Sequence, residues 1–189
     1  MSKLLIEGLV NKLLDLTPVE KESVGNRITE ALGGDPTKKA PGLPKRRGNQ
    51  DGGIDGRVPV YRKVVRMEAM LTESGREEIV SREEPVMTKV EAGITIKLEG
   101  QTFSAERLGG FKIALERENL RDGIIITARG LSPDAAVYIE KLHKDTVFRF
   151  IAPTLGDFLS QSVPDSPIEF VCDPNQAIRS ALQLYLDNT

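Results

Sequence analysis

The sequence predicts an α/β fold with a mixed central sheet flanked by helices, and three observations carry that expectation. Ile94-Thr95-Ile96-Lys97-Leu98-Glu99 alternates strictly, with Ile94, Ile96 and Leu98 on one face and Thr95, Lys97 and Glu99 on the other, the pattern of a half-buried strand. Gly123 opens the uninterrupted run Ile124-Ile125-Ile126-Thr127-Ala128, the composition of a strand buried on both faces. Helical patterns lie between and after these runs. The order strand, helix, strand, helix, strand over 94–151 therefore points to parallel crossovers within one sheet.

The flanking elements follow from local signals. Leu4, Leu5, Leu9, Val10, Leu13 and Leu14 recur at helical spacing. Thr17-Pro18 then supplies a cap and a first-turn proline for a second helix through Val24, Ile28, Ala31 and Leu32, ended by Gly33-Gly34. Residues 61–90 read as an inserted hairpin or short meander punctuated by Gly75 and Pro85. Phe103, Leu108, Phe111, Ile113, Ala114 and Leu115 place a helix over 102–118, where Gly109-Gly110 would allow close contact with a neighbour. Ser132-Pro133 starts the next helix, Val147–Ile151 reads as a strand, Leu155–Leu159 as a short helix, and 175–186 as a last amphipathic one.

Composition sets the boundaries. The 189 residues suit a single domain, with 1–34 as its helical start, 35–50 a basic loop, 51–151 the core containing the 61–90 insertion, and 152–189 a helical end. One cysteine, Cys172, excludes an internal disulfide or a Cys-rich zinc site and suits a reducing compartment, so a cytoplasmic location is expected. No stretch approaches the length of an apolar membrane span. The lone His143 excludes a multi-histidine metal site. The net charge of −2 leaves polyanion binding to local distribution, and Lys38, Lys39, Lys45, Arg46 and Arg47 form an acid-free basic segment suited to phosphates. A solvated basic loop has the same composition.

Gly48-Asn49-Gln50-Asp51-Gly52-Gly53-Ile54-Asp55-Gly56 is the densest meeting of glycines and carboxylates in the chain. Such a run forms a tight, acid-presenting loop, and the same dipeptides also serve as ordinary turns. With the downstream strand Ile94-Thr95-Ile96-Lys97, the run Gly123-Ile124-Ile125-Ile126-Thr127 and the helix start Gly130-Leu131-Ser132-Pro133-Asp134-Ala135-Ala136, it resembles the Mrr-like restriction endonuclease branch of the PD-(D/E)XK nuclease superfamily. The resemblance covers about residues 48–151.

It implies a restriction-endonuclease-like sheet and a metal-dependent DNA endonuclease using Mg²⁺ or Mn²⁺. Asp55 would be the metal-binding aspartate and Lys97 the lysine that orients or activates the attacking water, with Asp51 shaping the turn. The position two before the lysine, an Asp, Glu or Gln in the family, is Thr95 here. Glu99, on the Lys97 face, is the first replacement acid. Glu91 has the same parity, Glu30 would complete the metal shell from the second helix, and Glu106 and Gln101 are neighbours that could reach the site. A homodimer would supply two sites for the two strands of a duplex. Two other readings stay open: a catalytically inactive nuclease-fold module that binds nucleic acid or assembles, and a structural interaction protein in which Asp55 only shapes a turn.

Overall fold

The computed structural model describes residues 2–36, 53–64, 67–71, 77–81, 86–164 and 166–187. Two helices come first, α1 (Lys3–Leu14) and α2 (Pro18–Ala31). Thr17 caps α2 in a reciprocal box: its hydroxyl accepts from the Glu20 N–H, while the Glu20 carboxylate accepts from the Thr17 N–H at 2.8 Å. The remaining elements are β1 (Asp35–Pro36), β2 (Gly56–Val64), β3 (Met67–Leu71), β4 (Glu77–Ser81), β5 (Val86–Lys97), α3 (Ala105–Arg117), β6 (Asp122–Thr127), α4 (Pro133–Asp145), β7 (Arg149–Ile151), α5 (Leu155–Ser160), β8 (Ile168–Phe170), α6 (Pro174–Ala181) and α7 (Gln183–Leu186).

The main sheet has six strands in the order β1-β2-β5-β6-β7, with β8 also pairing β2. It is mixed. β2 runs antiparallel to β5, whereas β5–β6 and β6–β7 are parallel and are joined through α3 and α4, as the alternation of patterns predicts. β3 and β4 form a separate two-stranded sheet, which is the inserted hairpin. β2 and β5 pair continuously from Gly56↔Ile94 to Val64↔Val86. The insertion is therefore taken up at the far end of this ribbon, and the register at Asp55 is independent of it.

Each sheet face has its own core. Ile94, Ile96, Leu98, Ile124 and Ile126 pack beneath α1, α2, α5 and α6, while Ile125, Phe148 and Phe150 pack with Leu108, Phe111 and Leu115 of α3 and with α4. β6 is buried at all six positions, as its β-branched run demands. Gly123 is required there, because a Cβ would stand 2.7 Å from the Phe150 ring.

Three expectations are corrected. Gly109 faces open space and is not a close-packing point. The C-terminal helix breaks at Leu182 into α6 and α7, and β1 and β8 are strands too short to show a period. No helix among the described residues is long and apolar enough to cross a membrane.

Candidate functional site

Asp55 stands at the step into β2, and local packing fixes it there. Its N–H donates to the Ile94 carbonyl at 2.8 Å, extending the pairing with β5 by one residue. The next residue must be glycine: a Cβ on Gly56 would lie 2.7 Å from Thr29 Cγ2 of α2 and 2.8 Å from the Asp35 carbonyl of β1. Helix and edge strand thus clamp the start of β2 and hold the preceding aspartate against β5.

Asp55 Oδ2 accepts the Ile96 N–H at 2.8 Å and the Thr95 hydroxyl at 3.0 Å, and Lys97 Nζ lies 3.6 Å away. The Asp55 side chain is 40% exposed and that of Lys97 13%. Lys97 ends β5 beside the end of β6, where the Ala128 N–H donates to its carbonyl at 3.1 Å. This is the carboxyl edge of the parallel strands, where open α/β sheets gather their ligands.

The other expected residues divide. Thr95 is fully buried and uses its hydroxyl to hold Asp55. A second carboxylate at that position would repel Asp55 and call for a cation between them, whereas threonine satisfies it directly. Glu99 lies just past β5, with Oε2 2.5 Å from Arg107 Nη1. Gln101 and Glu106 are exposed on the turn into α3 and in its first turn. Glu91 is committed elsewhere, pairing with Arg57 at 2.9 Å, and Arg57 also holds Glu118.

Glu30 is not brought to Asp55. It lines a cleft with Arg27, Ser180 and Leu184 between α2 and the C-terminal helices, while Gly25 and Thr29 are the residues of α2 that face Ile96 and Gly56. Asp51, Lys38, Lys39, Lys45, Arg46 and Arg47 lie outside the described residues.

His143 has a structural post away from this site. Its Nε2 accepts the Phe150 N–H at 2.8 Å, and burial, with Arg149 nearby, pushes its pKa below the usual imidazole value. Arg107 is the neighbour that sequence reasoning missed. Its only linear signal is its place in the first turn after the cap Ser104, and its pairing with Glu99 appears only once the connection folds back over β5.

Among the described residues no group of three or more His, Cys, Asp or Glu is placed to hold a metal ion. An all-protein cage is therefore not assembled from them. Mg²⁺ commonly binds through one or two carboxylates, keeping waters and substrate oxygens for the rest. The part-exposed Asp55 carboxylate fits that minimal mode.

No family model, curated protein or solved structure matches the chain.

Proposed function

We propose that the chain is a divalent-cation-dependent DNA endonuclease of the restriction-endonuclease type. The observation that carries the reading is the meeting of Asp55 and Lys97, 3.6 Å apart at the carboxyl edge of the sheet. Their sequence context is the one the resemblance assigns to metal binding and water activation. Mg²⁺ or Mn²⁺, when bound, neutralises phosphate charge and acidifies a bound water. Asp55 is the residue to hold it.

The chain's own groups supply orientation and charge. The Lys97 ammonium positions the attacking water and faces the negative charge that develops on the phosphate. Thr95 and the Ile96 N–H keep the Asp55 carboxylate turned toward Lys97. The segment bearing Lys38, Lys39, Lys45, Arg46 and Arg47 is tethered at Pro36, which pairs with Gly56, the residue after Asp55. A reducing cytoplasm suits the single thiol, and a homodimer is the assembly that would cut both strands.

The second reading, an inactive nuclease-fold module that binds nucleic acid, is favoured by the hydroxyl at Thr95 and by the pairing of Glu99 with Arg107. A nicking assay with Mg²⁺ or Mn²⁺ separates the two. Cleavage that disappears in Asp55→Ala and in Lys97→Ala supports the endonuclease. Cleavage indifferent to both substitutions would falsify it, and salt-sensitive DNA binding without any cleavage selects the inactive module.

A further inference from the structure

Two of the cations at the carboxyl edge of the sheet face carboxylates: Lys97 lies 3.6 Å from Asp55, and Arg107 pairs with Glu99. Arg129 does not. It is exposed, and its Nη2 donates to the neutral amide oxygen of Asn11 on α1 at 3.0 Å. Of the acids one turn either side of Asn11, Glu7 lies 4.0 Å from Lys3, and neither Glu7 nor Asp15 forms an ion pair with Arg129 among the described residues. The amide therefore orients the guanidinium without cancelling its charge.

The turn that carries Arg129 is tied down on both sides. Thr127 ends β6 in register with Lys97, and the Ala128 N–H donates to the Lys97 carbonyl at 3.1 Å. Gly130 takes the left-handed conformation, φ +78°, while its N–H donates to the Thr127 hydroxyl at 2.8 Å and its carbonyl accepts the Phe103 N–H at 2.9 Å. Neighbouring strands lie about 4.8 Å apart. Asp55 before β2, Lys97 at the end of β5 and Arg129 just past β6 thus follow one another across the carboxyl edge in the order of the strands.

We propose that Arg129 binds a backbone phosphate of the nucleic acid, next to the phosphate that meets Asp55 and Lys97. The inference rests on the nuclease reading of those two residues. A guanidinium offers phosphate two parallel charge-assisted hydrogen bonds, and a single neutral amide is a weak competitor for it. Arg129 turns toward α1, whereas Lys97 lies on the α3 face, so the two cations bracket the edge. A strand laid across that edge meets the ammonium and then the guanidinium.

The test is the fluorescence anisotropy of a labelled DNA duplex titrated with the full chain in EDTA, over a series of salt concentrations. Arg129→Gln should weaken binding about tenfold at low salt and reduce the slope of log K against log salt by about 0.9, the release expected for one phosphate. Arg129→Lys, which keeps the charge but not the paired hydrogen bonds, should keep the slope and lose only part of the affinity. Asn11→Asp sets a carboxylate against the guanidinium, so it should weaken binding as Arg129→Gln does and add nothing in the Arg129→Gln background. An affinity and slope unchanged in Arg129→Gln overturn the proposal, as does an Asn11→Asp loss of the same size in both backgrounds, which is a field effect. Nicking that depends on Asp55 and Lys97, with duplex binding indifferent to Arg129, keeps the nuclease reading and removes this contact alone. A wild type that binds no duplex at low salt removes both.

Discussion

The sheet carries an acid–cation cluster at each end, and the two differ in what surrounds them. At the carboxyl end of β5, Asp55 is 40% exposed and sits beside one lysine. At the amino end of β6, the Asp122 side chain is 3% exposed, with Oδ1 3.5 Å from Arg62 Nε of β2. Arg62 also donates to the Val147 carbonyl, and Arg149 of β7 donates to the carbonyls of Thr146 and Phe148 at 2.8 and 2.7 Å. Burial pushes the Asp122 carboxyl above the usual carboxylate range, and the two arginines pull it back only in part. The buried cluster ties three strands together and is closed to a ligand. The exposed one holds a carboxylate beside an ammonium where solvent reaches the carboxylate. Similar charges are therefore sealed into the structure at one end and left part-exposed at the other.

Exchanging the two acids for alanine gives the largest test of this contrast. Asp122→Ala strands two partly buried arginines and should lower unfolding stability by about 3 kcal/mol in a urea melt. Asp55→Ala should cost about 2 kcal/mol, about 1 for each of its hydrogen bonds to Thr95 and Ile96. DNA cleavage should respond in the opposite order, falling by roughly a hundredfold or more for Asp55→Ala, while the folded fraction of Asp122→Ala keeps its rate. Equal stability losses, or a cleavage defect confined to Asp122→Ala, would reverse the assignment of the two ends.

The glycines flanking Asp55 sharpen the same contrast on a smaller scale. Gly56→Ala should cost about 2 kcal/mol, because its Cβ meets Thr29 and the Asp35 carbonyl. It should also weaken cleavage by shifting Asp55. Gly53→Ala has nothing within 4 Å and should stay within about 0.5 kcal/mol of the wild type. Thermal melts of the pair measure how tightly the start of β2 is clamped. Thr95→Val, nearly isosteric in a buried position, removes one hydrogen bond to Asp55 and should cost about 1 kcal/mol by the same measurement.

What the chain order reveals follows from which interactions are local. The caps Thr17-Pro18 and Ser132-Pro133 and the run Ile124–Thr127 are visible because capping and two-sided burial are written in adjacent residues. The pairing of Asp55 with Lys97 is legible through the order of motifs and survives the insertion, since the β2–β5 ribbon absorbs it at the other end. Glu30 misleads because which face of α2 meets the sheet is set by Gly25 and Thr29, through packing that periodicity alone does not orient. Arg107 is invisible for a related reason. Its partner Glu99 belongs to another element, and only the fold brings them to 2.5 Å.

The smallest expected effect is a pH dependence, and it comes from the structural end. His143 accepts the Phe150 N–H through Nε2, so protonating that nitrogen breaks the bond and places a charge beside Arg149 in a partly buried setting. Its folded pKa is depressed below the 6.5 of a free imidazole. The sign follows from which state takes the proton first. Above about pH 6.5 both states are neutral and the contribution is fully present. As pH falls, the unfolded chain binds the proton before the folded one, and stability is lost until the folded pKa is passed. Asp122 has the opposite sign, because its raised folded pKa makes its contribution fade as pH rises. Comparing wild type with His143→Gln cancels that background. Urea melts at about pH 7.5 and 5.5 should show the wild type losing more stability on acidification than the variant, with cleavage chemistry at Asp55 and Lys97 playing no part in the difference. Parallel losses in the two proteins would mean that His143 is not the titrating group and that the depressed imidazole contributes nothing to the structural end.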